Sequence, residues 1–176
     1  MSNALNSVLR GSIILHRQFP GAALLGLSIF IILGAWSFQL IGGLAPCALC
    51  LEQRVPWYLL IGLGGLLVGT RQLGFSRQIE TGLFALAVAL AIWAAYLALY
   101  HAGVEYKWWL GPSTCTTAGG GLDQTGSLEN LAPVPMCDVV PWKLGVVSLA
   151  GFNFLFSLVA TFLAGWGLLS TLKDKS

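Results

Sequence analysis

The sequence predicts an all-α membrane protein, a four-transmembrane-helix bundle with two exported loops that carry its cysteines. Three observations predict it. Apolar residues make up 56% of the 176 residues and charged residues only 9%, against about 25% charged in soluble domains. Nine basic and seven acidic side chains cannot wet the surface of a globule this size. The charges are also segregated: residues 18–51, 55–70, 81–104 and 144–172 contain none. Finally, all four cysteines fall in the two loops assigned to the exported side and none within the basic tails. High hydrophobicity with low charge excludes disorder, and a net charge of +2 is too weak for a nucleic-acid footprint.

A spanning helix needs about 20 apolar residues. The first stretch supplies a span over about 21–41, the third over 81–100 and the fourth over 144–167. The second, Val55–Thr70, has 16 residues, about 24 Å of helix at 1.5 Å per residue. It reaches spanning length if it begins near Cys50, giving 50–70. Residues 1–176 then form a single membrane domain, with exported loops over about 42–49 and 101–143. The first apolar run is too long for a cleaved signal peptide, and no small-x-small site follows it.

Orientation follows from Lys and Arg. The two tails and the 70–80 loop hold Arg10, Arg17, Arg71, Arg77, Lys173 and Lys175, against Arg54, Lys107 and Lys143 on the other side. Six basic residues against three places both termini in the cytoplasm. Cys47, Cys50, Cys115 and Cys137 then face a compartment where disulfides persist. Four cysteines allow three pairings. Cys47-Ala48-Leu49-Cys50 has the Cys-x-x-Cys spacing of a bridge that is made and broken repeatedly. Cys115 and Cys137 then close a loop of 21 intervening residues.

The segment Thr114–Met136, with Gly119-Gly120-Gly121, Pro133 and Pro135, buries too little surface to offset its ordering entropy and is expected to be mobile. Trp108, Trp109 and Trp142 at its roots read first as an interfacial aromatic belt. Gly62, Gly64, Gly65 and Gly69 give the second span a small-residue surface for close helix packing. Arg54 follows Cys50 by four residues, so on a helix the two share a face. The guanidinium and a helix N-terminus would both favour the Cys50 thiolate. Pro56 as a first helical residue would instead leave Cys50–Arg54 as a turn. A lone arginine at a membrane edge otherwise reads as snorkelling.

The motif Cys47-x-x-Cys50-x-x-x-Arg54 after a first span resembles the disulfide bond formation protein B (DsbB) family. So do Tyr100-His101-x-Gly103-Val104-Glu105, Gly111-Pro112-x-x-Cys115 and Cys137-Asp138-x-x-Pro141-Trp142. The resemblance covers essentially the whole chain, in order and topology. It implies a bacterial inner-membrane thiol:quinone oxidoreductase that reoxidises a DsbA-like periplasmic thiol oxidase. On that resemblance Cys115 is the cysteine attacked by the reduced partner, and Cys137 passes electrons to the first-loop pair through Cys47. Cys50 faces a bound quinone (ubiquinone or menaquinone, drawn from the membrane pool), with Arg54 as the cation beside it. The family also has a quinone-adjacent histidine. His101 is the candidate here, but a histidine at a helix end is more often solvated or capping, so its role stays open in the sequence. The chemistry agrees: thiol–disulfide exchange yields two electrons, and a lipid-soluble quinone can accept them within the bilayer.

Rival readings fit less well. A four-cysteine zinc site would join a Cys-x-x-Cys to two cysteines 22 positions apart, in an oxidising compartment. A vitamin K epoxide reductase-like enzyme would carry its Cys-x-x-Cys near the last span. The alternative from another class is a non-enzymatic four-span scaffold with a disulfide-bonded exported loop. It has no need of a Cys-x-x-Cys in the small loop.

Overall fold

The computed structural model describes residues 2–70, 74–116 and 136–173, with side chains from residue 19 onward apart from Thr114 and Thr116. The order is α1 (Ser2–Leu40), α2 (Ala48–Glu52), α3 (Arg54–Gly69), α4 (Arg77–Glu105), α5 (Ser113–Thr116), β1 (Lys143–Leu144), β2 (Val147–Ser148) and α6 (Leu149–Lys173). The protein is a helical membrane protein. Helices α1, α4 and α6 are each long and apolar enough to cross a bilayer, over Phe19–Leu40, Arg77–Glu105 and Leu149–Lys173. Helix α3 has 16 residues and packs with them. α4 lies along α6, α1 along α3 and α6, and α3 along α4. Gly43, at φ +66°, turns the chain out of α1 toward the first cysteine pair.

The core shows why these helices pack closely. α4 buries Ala87, Ala91, Ala94, Ala95 and Ala98, and α6 buries Ser157, Ala160, Ala164 and Gly167. With no hydrophobic force between helices in lipid, such small side chains allow the backbone approach that gives van der Waals gain. At Gly167 a Cβ would sit 2.1 Å from the Phe84 ring, so only glycine fits. The glycines expected to serve α3 divide. Gly64 meets the Leu25 Cα, 3.0 Å from where a Cβ would be, whereas Gly62 and Gly65 face open space. The main small-residue seam is the alanine face between α4 and α6, not the α3 glycines. At the far end of the bundle Arg77 Nε donates to the Thr171 carbonyl at 2.9 Å, tying the start of α4 to the end of α6.

Three of the differences from the expected spans bear on the site. The second apolar helix starts at Arg54, not near Cys50, because Cys50 lies on the separate short helix α2. The third continues past Tyr100 to Glu105, carrying His101 inside the helix. The fourth starts at Leu149, not Leu144. Residues 143–148 form a hairpin, with Lys143 opposite Ser148 and Leu144 opposite Val147. Gly145, at φ +61°, occupies the first central position of its two-residue turn, where a positive φ is needed. The apolar run hid that turn from periodicity. Most of the loop expected to be mobile, residues 117–135, lies outside the described residues.

Candidate active site

The short α2 sets the geometry of the first cysteine pair. Cys47 is its N-cap, with its sulfur accepting from the Cys50 backbone N–H at 3.2 Å. Cys50 is thus brought back over Cys47, their Sγ atoms 2.7 Å apart. Both are free thiols, so the expected Cys47–Cys50 bridge is open here while its atoms are already together. Cys47 is buried and Cys50 half-exposed. The S–H of Cys47 donates to Cys50; that bond and burial push the Cys47 thiol up. The same bond draws Cys50 below the ordinary thiol range against the opposing effect of burial, and the Arg54 charge acts in the same direction. The pair is polarised: the shared bond favours the proton on Cys47 and the thiolate on Cys50.

Cys115 and Cys137 form the disulfide that spacing suggested. Both are buried in one cluster with Cys47, Leu49 and Val104, so the two cysteine pairs share a core. The segment after Cys137 is pinned to the end of α4. Lys107 Nζ meets Asp138 Oδ2 at 2.5 Å and the Asp138 carbonyl at 2.8 Å. That ammonium holds the Asp138 carboxyl below its usual range.

Arg54 is the first residue of α3, and Pro56, the alternative first residue, is the third. The guanidinium donates to Gln39 Oε1 at 2.8 Å and lies over the Trp36 ring, 5.7 Å from its centroid. It lines a cavity of about 420 Å³ that also includes Cys50, His101, Glu105 and Asn153. Phe30, Phe38, Trp142, Phe152 and Phe156 are among its apolar walls. Trp142, read from the sequence as belt, packs against Phe38 and Phe152 and is part of that wall. Trp109 does anchor its segment: Nε1 donates to the Tyr100 carbonyl at 2.8 Å and its ring fills the space a Gly103 side chain would need.

His101 is neither solvated nor a cap. It is buried, with Nε2 3.6 Å from Cys47 Sγ and Nδ1 2.5 Å from Gln53 Nε2. One turn on, Glu105 Oε1 lies 4.0 Å from His101 Nε2, and Glu105 Oε2 has no hydrogen-bond partner among the described residues. Gln53 connects to Asn153, and Asn153 to Trp57. Sequence reasoning gave no role to Gln53, Trp57, Glu105 or Asn153. Asn153 carried a usable signal, since an amide inside a charge-free apolar run requires a polar partner. The ligand atoms of Cys47, Cys50 and His101 all lie within 4.8 Å of one another, the one metal-like grouping among the described residues.

A membrane helical bundle that gathers a closed disulfide and a polarised dithiol into one core belongs to the disulfide-exchange proteins. The family profile described as Disulfide bond formation protein DsbB matches residues 17–167, and the chain belongs to that family. Disulfide bond formation, as a disulfide oxidoreductase, is the activity that membership brings. No curated protein and no solved structure matches the chain.

Proposed function

We propose that the protein is a thiol:quinone oxidoreductase of the bacterial inner membrane. It reoxidises a DsbA-like periplasmic thiol oxidase and passes two electrons through two cysteine pairs to a quinone. The observation that carries this reading is the position of Cys50. It is a polarised sulfur on the wall of a cavity lined by aromatic and aliphatic side chains, with Arg54, Gln39, Gln53, Asn153, His101 and Glu105 at its polar side. A flat apolar ring with polar oxygens fits such walls, and the unpartnered Glu105 oxygen leaves hydrogen-bonding capacity for a bound group. When bound, a quinone supplies the two-electron acceptor.

The residues divide the work. Cys115 takes the attack of the reduced partner, and Cys137 carries the exchange on to Cys47 in the shared core. Cys50 faces the cavity as thiolate, and Arg54 sets a cation where negative charge develops during reduction. For each turnover one partner dithiol becomes a disulfide, and its two electrons and two protons leave as hydroquinone. In the membrane, α1, α3, α4 and α6 act as four spans, with both termini cytoplasmic and the cysteines periplasmic. The short α3 reaches across with the help of α2.

Purified protein, quinone and a reduced DsbA-like protein are mixed and the quinone absorbance followed. Catalytic loss of the oxidised quinone band is expected, abolished by Cys50→Ala. No quinone reduction would overturn the reading in favour of the non-enzymatic scaffold.

A further inference from the structure

A line of amides, Asn153 half-buried and Gln53 buried, runs from α6 to the cysteine pair, and its direction can be read from its ends. The Trp57 indole, almost fully buried, can only donate. Its Nε1–H bonds Asn153 Oδ1 at 2.8 Å, which fixes the oxygen of that amide and turns its nitrogen toward Gln53. Asn153 Nδ2 then donates to Gln53 Oε1 at 2.5 Å. The Gln53 nitrogen is therefore the atom facing the other way. It donates to the Leu49 carbonyl at 3.3 Å, an acceptor that cannot be reversed, and to His101 Nδ1 at 2.5 Å. Both ends impose the same polarity, so neither amide can flip alone without facing donor to donor or acceptor to acceptor.

We propose that Trp57, Asn153 and Gln53 are positioning residues that lock His101 in the tautomer with its proton on Nε2, aimed at the Cys47 sulfur. A proton on Nδ1 would meet the hydrogens of the Gln53 amide. With Nδ1 as acceptor, the ring hydrogen stands on Nε2, 3.6 Å from Cys47 Sγ. Cys47 then receives two N–H donors, this one and the Cys50 backbone N–H at 3.2 Å.

The purpose is chemical. Oxidising the pair breaks two S–H bonds, forms the Cys47–Cys50 bond, and releases two protons and two electrons. The Cys50 thiol gives up its proton the more readily of the two, since the bond from Cys47 and the Arg54 charge both favour its thiolate. Cys47 holds the second proton, and the two N–H donors stabilise its sulfur as that proton leaves. That the electrons go to a quinone rests on the function proposed above; the tautomer does not. The same polarity disfavours a metal on the Cys47, Cys50 and His101 grouping, since a metal ligand needs a lone pair where Nε2 carries hydrogen.

The test reads the ring directly. The chain has two histidines, so a His16→Gln background labelled with ¹⁵N-histidine reports His101 alone, in the full-length reduced protein in detergent. The proton is expected on Nε2 as a single tautomer. Asn153→Asp keeps the acceptor for Trp57 but replaces the donor to Gln53 by an oxygen. Gln53 must then turn its amide, and the proton is expected to move to Nδ1. Trp57→Phe removes the anchoring donor and is expected to give both tautomers; it serves equally if the aspartate variant does not fold. Each variant should lower the equilibrium constant for reducing the Cys47–Cys50 couple by up to about tenfold, the order of one hydrogen bond lost from the Cys47 thiol, which is up to about 30 mV. A proton on Nδ1 in the parent, or an unchanged ring spectrum in both variants, overturns the proposal. Failure of the quinone reading would appear separately, as absent quinone reduction with the Nε2 tautomer intact.

Discussion

Arg54 Nη1 donates to Gln39 Oε1 across 2.8 Å, so the guanidinium is tied from the start of α3 to the end of α1. A snorkelling arginine would extend toward headgroups with its nitrogens in water. This one is bound on one side, packed over Trp36, and lies on the wall of the cavity that holds Cys50. Preorganisation of this kind is what makes a cation effective against charge that develops only during reaction.

Arg54→Met is therefore expected to leave the Cys115–Cys137 bridge and partner exchange intact while slowing quinone reduction. Removing one charge-stabilising donor elsewhere has cost about 2.7–4 kcal/mol, which corresponds to roughly a hundred- to a thousandfold in rate. Lysine should rescue in part, because a point charge replaces a planar fork. Quinone turnover and partner exchange are assayed separately. Equal loss in both, or in neither, would reduce Arg54 to an anchor.

Lys107 and Asp138 make a pH-dependent prediction. The Asp138 carboxyl is held below its usual value by the ammonium, so the folded state binds this proton less readily than the unfolded chain. Its contribution is then fully present above the ordinary carboxylate range and is lost as pH falls through the depressed value. Lys107 is mostly exposed, so the effect is small. Thermal unfolding of the parent and Lys107→Met should differ slightly at pH 7, begin to approach each other below about pH 4, and converge once pH has fallen below the depressed Asp138 value. A gap that persists in acid would assign the effect to packing instead.

The α4–α6 seam predicts a large effect from a single methyl. Gly167→Ala gains up to about 1 kcal/mol of helix propensity, but its Cβ would enter the Phe84 ring at 2.1 Å. Phe84 is buried and has little room to move, so overpacking of about 1–3 kcal/mol wins. The variant should unfold at a lower temperature in detergent, and Phe84→Leu should restore part of the loss. No rescue by that second change would mean that the strain lies elsewhere.

The apolar helices and the grouping of the cysteines were legible because they depend on patterns local in sequence: charge-free stretches, a Cys-x-x-Cys, and Arg54 four residues on. The hairpin at 143–148 was not, because Leu144, Val146 and Val147 look the same to a hydropathy reading whether in a helix or a strand. The site around His101 was hidden for a different reason. Gln53, His101 and Asn153 stand 48 and 52 positions apart in the chain, and only the packing of α3, α4 and α6 joins them. Asn153 alone announced that a buried partner must exist; nothing local named it.

The polarised dithiol gives the last prediction. In the reduced protein Cys50 accepts from Cys47 across 2.7 Å and is held below the ordinary thiol range by that bond, with Arg54 assisting. Cys47 is pushed in the opposite direction by the same bond and by burial. Because the thiolate is the species that reacts, iodoacetamide at pH 7 should modify Cys50 first and leave Cys47 for much slower reaction. Cys47→Ala removes the donor, so the Cys50 thiolate loses a charge-assisted hydrogen bond worth about 1.5–3 kcal/mol. The midpoint of its alkylation profile should then rise by about one unit or more, and its rate at neutral pH should fall by roughly tenfold. Mass mapping of the alkylated peptides, with the Cys115–Cys137 bridge left closed, reads both sites at once. Faster alkylation of Cys47, or a Cys50 midpoint that does not move in Cys47→Ala, would mean that the pair is not polarised in this direction.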